Sequence, residues 1–461
     1  MNLSLLEIAK AVHAENNISK SFANQKITGV EFDSRKIKAG NLFIPLNGQR
    51  NGHEFARLAQ ENGAIATLWS EKSTQAPSGM VYFQVKNTLL AMQQLASYFL
   101  AKIKPITIAI TGSNGKTSTK DLTASVLSTT YKTYKTQGNY NNEIGLPYTI
   151  LSMPDFTETL VLEMGMDHPK DLRLLSMIAK PDITAITMIG ESHLENFGTR
   201  KKIAKGKIEI IDGLKPQGEL IIPSDEPLLE LFTKNVSQKI TTFGFTHSSD
   251  FQAQIIQEAK NYTSFSLNFL EGEFHLPLSG SFYVKNALIA AYIGRKLDVA
   301  TFNIKKGLEE VQLTPNRTEW LTRADGAEIL SDVYNANPTA MNLILEYFRV
   351  LPTSGKRIII LGDMLELGKK SKEFHQELAS LINPETIQTV ILYGEEMKNL
   401  AKILWEKYPQ TKVFHFSKNE KQELIDEAKK QIHPHDMVLL KASNGMKLSE
   451  VVSALIEHDR L

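Results

Sequence analysis

The chain has 461 residues, of which 52 are Lys or Arg, 51 are Asp or Glu, and none is cysteine. At about 150 residues per domain, this length predicts about three domains, each able to bury its own core. The net charge of +1 gives no general attraction to nucleic acid or to an anionic membrane, and without cysteine there are no disulfides, zinc–thiolate sites, iron–sulfur clusters or thiol nucleophiles.

The amino-terminal segment carries an early acid, Glu7, and lacks a long apolar run. No later segment reaches about 18 consecutive apolar residues, the length that a membrane-spanning helix needs. We therefore predict no signal peptide, no membrane insertion, no nucleic-acid partner and a cytoplasmic location.

The first 87 residues combine short strand-like pieces with turns. An apolar run over 41–46 ends at the turn signal Asn47-Gly48, and residues 88–102 carry apolar side chains at helical spacing. We predict a small α/β domain over 1–87, followed by a central domain that starts at residue 88.

The central domain, predicted over 88–314, alternates continuous apolar strands with loops and helices. Strands that are apolar on both faces are typical of a parallel sheet covered by helices. Between 240 and 280 the polarity alternates, as it does in antiparallel strands. The predicted parallel strands are 106–111, 160–164 and 183–189.

Beyond residue 315 strands and helices alternate again, which predicts a doubly wound, Rossmann-like domain over 315–461. Its predicted strands are 329–333, 357–361, 389–393, 412–416 and 437–440. The expected fold class is therefore α/β with three domains: a small α/β domain, a central parallel-sheet domain with a phosphate-binding loop, and a doubly wound domain.

The first central strand runs into a glycine-containing loop and then a helix. Backbone N–H groups of such a loop approach phosphate oxygens, Lys116 would reach the β- and γ-phosphates, and the Thr117 hydroxyl would hold Mg²⁺. The alternative is a turn with a solvated lysine, which the order of strand, loop and helix disfavours. Binding of a nucleoside triphosphate is predicted for Gly112, Ser113, Asn114, Gly115, Lys116, Thr117 and Ser118.

Two later strands end in further polar groups, Glu163 and His193. Open α/β sheets bind ligands outside the carboxyl ends of their strands, so these side chains should lie near the phosphate loop. A carboxylate and an imidazole there are reasonable ligands for a hard cation, directly or through water. An ordinary loop acid and loop histidine are the alternative.

Lys207 lies in an apolar helical stripe within residues 200–214. Partial desolvation there would lower the lysine pKa and make a neutral amine available. Alternatively, the stem packs and the ammonium reaches water. Sequence alone does not separate these two readings.

The segment Gly138–Gly145 places three asparagines between two glycines: Asn139, Asn141 and Asn142. Their amides offer donors and acceptors suited to sugar hydroxyls and carboxylates. A turn-rich loop without a ligand is the alternative.

In this order, the elements resemble the Mur ligase family, ATP-dependent enzymes that build the peptidoglycan stem peptide. The family's phosphate loop has the short Gly-x-x-Gly-Lys-Thr form found here, and the resemblance covers essentially the whole chain. Its marks are Phe32-Asp-Ser-Arg35, Gly40-Asn-Leu-Phe43, Thr136-Gln-Gly-Asn-Tyr-Asn-Asn142, Leu162-Glu-Met-Gly165, Asp332-Val-Tyr-Asn-Ala-Asn-Pro338 and Leu361-Gly-Asp-Met-Leu-Glu-Leu-Gly368.

Within the family, these marks resemble the member that joins D-alanyl-D-alanine to UDP-N-acetylmuramoyl-tripeptide. The resemblance implies that the first domain binds the uridine-linked substrate through Ser34, Arg35, Asn47 and Gly48. It also implies that the third domain closes over ATP and binds the dipeptide. We expect a monomer.

The resemblance further implies roles for single residues of the site. Asn286 matches an adenine contact, and Arg317 and Asp332 match third-domain residues that close over the γ-phosphate and the ribose. Glu163 and His193 match magnesium ligands, with two Mg²⁺ expected in all. Lys207 matches a lysine that becomes an N-carboxylated ligand. Further substrate contacts are assigned to Asn139, Asn141, Asn142, Asn335 and Asn337.

The implied reaction forms an amide through an acyl phosphate, with Lys116, His193, Lys207 and Arg317 as the catalytic residues. His193 could ligate a metal or accept a proton from the amine, and both roles stay open. Two other functions stay open too: a folylpolyglutamate-synthase-like ligase, which the first-domain motif disfavours, and a nucleotide-dependent switch without ligation.

Overall fold

The structure is a computed structural model that describes residues 1–19, 21–409 and 412–456. The predicted fold class is confirmed, because three successive stretches of this described chain each build a mainly parallel sheet. The predicted domain boundaries remain predictions. In the described part of the chain, no helix is both long enough and apolar enough to cross a membrane.

The first domain contains a parallel sheet in the order β3-β4-β5-β6, beside a short antiparallel pair of β1 and β2. Its first helix begins where Ser4 and Glu7 cap each other's backbone N–H groups, which satisfies two donors that the helix leaves free. The elements are β1 (Leu3–Ser4), α1 (Leu5–Ala11), β2 (Lys26–Ile27), β3 (Gly29–Glu31), β4 (Asn41–Phe43), α2 (Ala56–Glu61), β5 (Ala66–Trp69) and β6 (Val81–Gln84).

The central domain follows with the longest sheet of the described chain. Its helices are α3 (Thr88–Ile103), α4 (Lys116–Ser128), α5 (Gly145–Ser152), α6 (Asp171–Ala179), α7 (Leu194–Phe197), α8 (Arg200–Ile208), α9 (Pro227–Thr233), α10 (Ser281–Lys296) and α11 (Thr301–Glu309). Its strands are β7 (Ile106–Thr111), β8 (Thr133–Lys135), β9 (Thr159–Glu163), β10 (Ile183–Ile186), β11 (Glu219–Pro223), β12 (Lys239–Gly244), β13 (Phe251–Ala259), β14 (Tyr262–Leu267) and β15 (Leu270–Leu276).

In this sheet the strands are ordered β15-β14-β13-β12-β11-β10-β7-β9-β8. Strands β8 to β12 and β7 pair in parallel, and β13, β14 and β15 pair antiparallel, as the polarity pattern predicts. Both faces are buried: Ala109 of β7 belongs to one core, and Ile108 and Ile110 belong to the other. Continuous apolar strands are the sequence form of such a two-sided sheet.

The third domain has a sheet in the order β16-β17-β21-β18-β19-β20, parallel except for β16. Its strands are β16 (Glu319–Thr322), β17 (Glu328–Asp332), β18 (Arg357–Gly362), β19 (Thr389–Tyr393), β20 (Lys412–Phe416) and β21 (Met437–Lys441). Its helices are α12 (Pro338–Val350), α13 (Ser371–Glu377), α14 (Met397–Lys407), α15 (Lys421–Gln431) and α16 (Ser449–Ile456).

Three details differ from the sequence-based expectation. The strand predicted over 183–189 ends at Ile186, because Thr187 bonds to the phosphate loop and the following residues fold over it. The helix predicted through residue 214 changes at Glu209 into a 3₁₀ turn. Strands β8, β11 and β16 lie outside the strands that the sequence predicts.

Candidate active site

A cavity of about 730 Å³ lies between the central and third domains. It brings together most of the predicted nucleotide and metal residues, at the edge where the central parallel strands end. The predicted residues that line it are Ser113, Asn114, Gly115, Lys116, Thr117, Ser118, Asn139, Asn141, Glu163, His193, Asn286, Arg317, Asp332 and Asn335.

The phosphate loop depends on two glycines between β7 and α4. Gly112 has φ +152°, and a Cβ there would lie 1.8 Å from the Thr187 hydroxyl. Gly115 has φ +79°, and a Cβ there would lie 2.8 Å from Asn286 Oδ1. Both positions therefore exclude a side chain, which leaves the loop backbone open to a phosphate. Asn286, the predicted adenine contact, packs directly against this loop.

Lys116 folds back over the loop in this structure. Its Nζ donates to the Gly112 carbonyl at 2.8 Å, and burial lowers the pKa of this lysine. A partly buried ammonium with neutral carbonyl partners gains from a phosphate anion placed among them. The geometry therefore suits the predicted phosphate contact.

Glu163 lies at the carboxyl end of β9, buried beside the phosphate loop. One oxygen accepts from the Thr117 hydroxyl at 2.8 Å and the other from Asn141 Nδ2 at 2.8 Å. A hydroxyl and a carboxylate suit Mg²⁺, which prefers oxygen ligands and keeps several waters. In the described chain no three His, Asp or Glu side chains converge as a metal cage, so phosphate oxygens and water would have to complete the shell.

His193 has a left-handed backbone, with φ +59°, and it meets a third-domain acid that sequence reasoning missed. Its Nδ1 lies 2.6 Å from Glu366 Oε2 and 3.3 Å from Asp167 Oδ1. The hydrogen bond from His193 lowers the pKa of Glu366. Glu366 belongs to the 361–368 motif, so the motif itself was a usable signal.

Lys207 is 2% exposed and does not line the cavity. Burial, and then the charge of nearby Lys116, hold the pKa of Lys207 well below its ordinary value. Among the described residues, no carboxylate forms an ion pair with it. This placement agrees with the desolvated-amine reading and disagrees with a lysine that reaches bulk water.

Arg317 enters the cavity from the segment before β16. Its guanidinium stacks on Tyr334, with Cζ 3.9 Å from the ring centroid, and its buried Nε has no hydrogen-bond partner among the described residues. An unpaired buried donor is costly, so an incoming anion would satisfy a group that the protein leaves free.

Asp332 ends β17 and pairs with Lys441, which ends the neighbouring strand β21. Lys441 Nζ lies 2.5 Å from Asp332 Oδ2 and donates to the Asn335 carbonyl at 2.8 Å. Sequence reasoning missed Lys441, although it follows an apolar strand just as Glu163 does.

Asn337 connects the third domain to the phosphate loop. Its Nδ2 donates to Asn114 Oδ1 at 2.7 Å and to Ser192 Oγ at 2.9 Å, and Asn114 Nδ2 donates to Asn337 Oδ1 at 3.1 Å. The same Oδ1 caps α12 by accepting from Ala340 N. Asn337 is therefore engaged with protein, whereas Asn335 lines the cavity.

Besides Asn337, five predicted substrate residues lie outside the cavity. Asn142 Oδ1 accepts from the backbone N–H of Gly145, the first residue of α5, at 2.9 Å. The others follow β3 and β4, which are adjacent and parallel, so they lie at one edge of the first-domain sheet. There Ser34 is buried, and the rest are exposed: Arg35, Asn47 and Gly48.

Known sequence families match most of this chain. Residues 26–100 match the Mur ligase family catalytic domain, 110–294 the Mur ligase middle domain, and 316–444 the Mur ligase glutamate ligase domain. The UDP-N-acetylmuramoyl-tripeptide–D-alanyl-D-alanine ligase of Bacillus subtilis (strain 168) is 40% identical over 432 residues, which cover 94% of this chain and 93% of that protein.

Solved structures give the same result. MurF from Acinetobacter baumannii is 26% identical, with a TM-score of 0.87 over 99% of both chains. MurF ligase from Thermotoga maritima, in complex with ADP, is 27% identical, with a TM-score of 0.79 over 93% of this chain and 97% of that one. With its fold, its phosphate loop and its full-length relatives in agreement, the chain belongs to the Mur ligase family.

Proposed function

We propose that this chain joins D-alanyl-D-alanine to UDP-N-acetylmuramoyl-tripeptide with ATP, in cytoplasmic synthesis of a peptidoglycan precursor. The observation that carries the proposal is the shared cavity, where the phosphate loop of the central domain faces Arg317 and Asp332 of the third. Relatives of nearly the same length carry this activity in their names.

The proposed division of labour follows the predicted domains. Residues 1–87 would bind the uridine-linked substrate. Residues 88–314 would bind ATP, and residues 315–461 would bind the dipeptide. We propose that the active enzyme is a monomer.

The reaction balances in two steps. A carboxylate oxygen of the tripeptide attacks the γ-phosphorus of ATP, the bond to the β-phosphate oxygen breaks, and an acyl phosphate and ADP result. The dipeptide amine then attacks the acyl carbon, loses a proton, and expels inorganic phosphate. Positioning and charge stabilisation supply most of the catalysis, so no enzyme nucleophile is needed.

Cationic side chains would carry the protein's share of the charge stabilisation. Lys116 and Arg317 line the cavity from opposite domains. Thr117 and Glu163 would hold Mg²⁺, which when bound neutralises phosphate charge. A second Mg²⁺ is proposed from the family resemblance.

Lys207 is proposed to carry an N-carboxyl group. Its buried amine has a strongly lowered pKa, and a neutral amine forms a carbamate by making an N–C bond to carbon dioxide and releasing a proton. His193 keeps two candidate roles, metal ligation and proton acceptance from the amine. The adjacent Glu366 carboxylate supports the second, because a carboxylate placed against Nδ1 orients the imidazole ring.

Phosphate release tests the proposal. Purified protein with Mg²⁺ and ATP should release phosphate when both the uridine-linked tripeptide and D-alanyl-D-alanine are present, and neither alone should suffice. Phosphate release at the same rate with and without the dipeptide would indicate a nucleotide-dependent switch. Phosphate release that requires folate and glutamate would indicate a folylpolyglutamate-synthase-like ligase. A tripeptide panel with lysine or diaminopimelate in third place would then define the preferred substrate.

A further inference from the structure

Arg317 lies in a strained linker between α11 and β16. The residues on either side of it, Asn316 and Thr318, have left-handed backbones, with φ of +61° and +52°. A β-branched residue such as Thr318 rarely adopts this conformation, because its side chain then crowds the backbone. Such a geometry persists only where the surroundings hold it in place.

The linker is tied to the central domain at Thr314. Its backbone N–H and its hydroxyl both donate to Asp121 Oδ2, at 3.0 and 2.9 Å. Asp121 lies on α4, the helix that follows the phosphate loop and begins at Lys116. One carboxylate therefore connects the helix behind the phosphate loop to a residue three positions before Arg317.

Asp121 is itself held firmly. It is 1% exposed, and its second oxygen lies 2.6 Å from Lys135 Nζ and 3.2 Å from Lys120 Nζ. Burial opposes its ionisation, yet these two lysines outweigh burial and keep the pKa of Asp121 below its ordinary value. The anchor is a charged acceptor, which gives stronger hydrogen bonds than a neutral one.

The far side of Arg317 is tied to other elements. Thr318 N donates to Asp332 Oδ1 at 3.3 Å, and the Tyr283 hydroxyl of α10 donates to the Arg317 carbonyl at 3.0 Å. The backbone around Arg317 is thus held by two anchors on the central domain, Asp121 through Thr314 and Tyr283 directly, and by Asp332 on the third. Of these anchors, Asp121 holds the segment on the amino-terminal side of Arg317, and its loss should loosen that side.

We propose that Asp121 is a positioning residue that sets the location of Arg317 in the cavity through Thr314. This inference rests on the proposed function, because the consequence for rate follows from the charge stabilisation assigned to Arg317. Asp121 does not contact the reacting atoms. Its effect on the reaction should therefore pass entirely through Arg317.

A double-mutant cycle on the full chain tests this inference. Asp121→Ala should lower kcat for phosphate release, with both substrates present, by about tenfold or more in the natural chain, and by less than about twofold in an Arg317→Met background. Radiolabelled ATP keeps slow turnover measurable. An equal loss in both backgrounds would overturn the proposal, because a merely structural role does not depend on Arg317.

Thr314 provides matched variants that leave the buried lysines paired. Thr314→Val removes the hydroxyl donor at nearly constant volume and should lower kcat about threefold, whereas Thr314→Ser should restore it. ADP affinity should change by less than about twofold in each, since the phosphate loop is intact. A Thr314→Val enzyme with unchanged kcat would contradict the anchor.

Hydrogen exchange at single-residue resolution separates this inference from the proposed function, because it needs no ligation. In Asp121→Ala, the amides of Thr314, Asn316, Arg317 and Thr318 should exchange about tenfold faster, as expected when an anchored segment opens. Acceleration confined to Thr314 would overturn the inference even in an active enzyme. If exchange is faster throughout the linker but the chain has no ligase activity, the proposed function is wrong and the anchoring role of Asp121 stands.

Discussion

Two buried glutamates lie at opposite ends of the parallel strands of the central sheet. Glu163 is the last residue of β9, and Glu219 is the first residue of β11, a strand that runs in the same direction. Both are almost fully buried, at 2% and 1% exposure. They share a residue type, a sheet and a degree of burial, so the difference between them lies in their partners.

The Glu219 carboxylate forms ion pairs with two lysines. Lys296 lies at 2.5 Å and Lys239 at 3.1 Å, and the hydroxyls of Thr241 and Tyr292 donate to it as well. Burial opposes its ionisation, but the hydrogen bonds from Lys296 and Thr241 outweigh that and lower the pKa of Glu219 to about 2. The negative charge of Glu219 is therefore neutralised by lysines of the protein itself.

Glu163 has neutral partners instead. Thr117 and Asn141 donate to its two oxygens, and in the described part of the chain no cation forms an ion pair with it. A buried carboxylate without a paired cation is an expensive arrangement unless a ligand supplies the positive charge. The comparison teaches that the partner set, rather than burial, separates a structural acid from one suited to a metal ion.

The largest expected effect comes from Glu163→Gln. The amide keeps the volume but removes the charge, so kcat/KM for ligation should fall about 10²- to 10³-fold. The free energy of unfolding should change by less than about 1 kcal/mol, because the lost partners are neutral. Steady-state kinetics and urea denaturation measure the two quantities, and a large loss of stability with normal activity would reverse the assignment.

Glu219→Gln should give the opposite result. Removing a buried charge leaves Lys296 and Lys239 without their shared anion, which should lower the free energy of unfolding by about 2–3 kcal/mol. At temperatures where the variant stays folded, its kcat should match that of the natural chain. A selective loss of kcat at full stability would contradict a structural role.

The pH dependence of stability should distinguish the natural chain from Glu219→Gln. The pKa of Glu219 is lowered from 4.5 to about 2 on folding, so its contribution is fully present above pH 4.5. That contribution is lost as the pH falls from 4.5 toward 2, because the unfolded state then binds the proton more readily. Denaturation at a series of pH values should show the two chains converging in this window.

The smallest effects should come from the lysines around Glu219. Lys239 is mostly exposed, and Lys239→Met should cost less than about 0.5 kcal/mol of unfolding free energy. Lys296 is closer and less exposed, so Lys296→Met should cost about 1 kcal/mol. Urea denaturation of both variants checks the order, and equal losses would show that proximity does not rank these pairs.

Much of the fold was predictable from local pattern. Strands β18 and β19 begin where the apolar runs begin, and their parallel pairing follows from burial on both faces. The exceptions arise from tertiary contacts. Strand β10 stops at Ile186 because Thr187 bonds to the Asn114 carbonyl of the phosphate loop, and no local pattern contains that information.

The central half of the site was predictable for a similar reason. Parallel strands bring their carboxyl ends to one edge, so Glu163 was expected near Lys116 from chain order alone. Glu366 and Asp121 were not assigned, because their roles depend on how the third domain and its linker meet the central domain. Such contacts join residues almost 200 positions apart.

Isotope transfer tests the central claim most directly. The terminal carboxylate of the uridine-linked tripeptide would be labelled with ¹⁸O at both oxygens and turned over with ATP and D-alanyl-D-alanine. If that carboxylate attacks the γ-phosphorus, each released phosphate should carry one ¹⁸O atom, seen by mass spectrometry. Release of unlabelled phosphate would mean that water attacks ATP, and would contradict ligation through an acyl phosphate in this cavity.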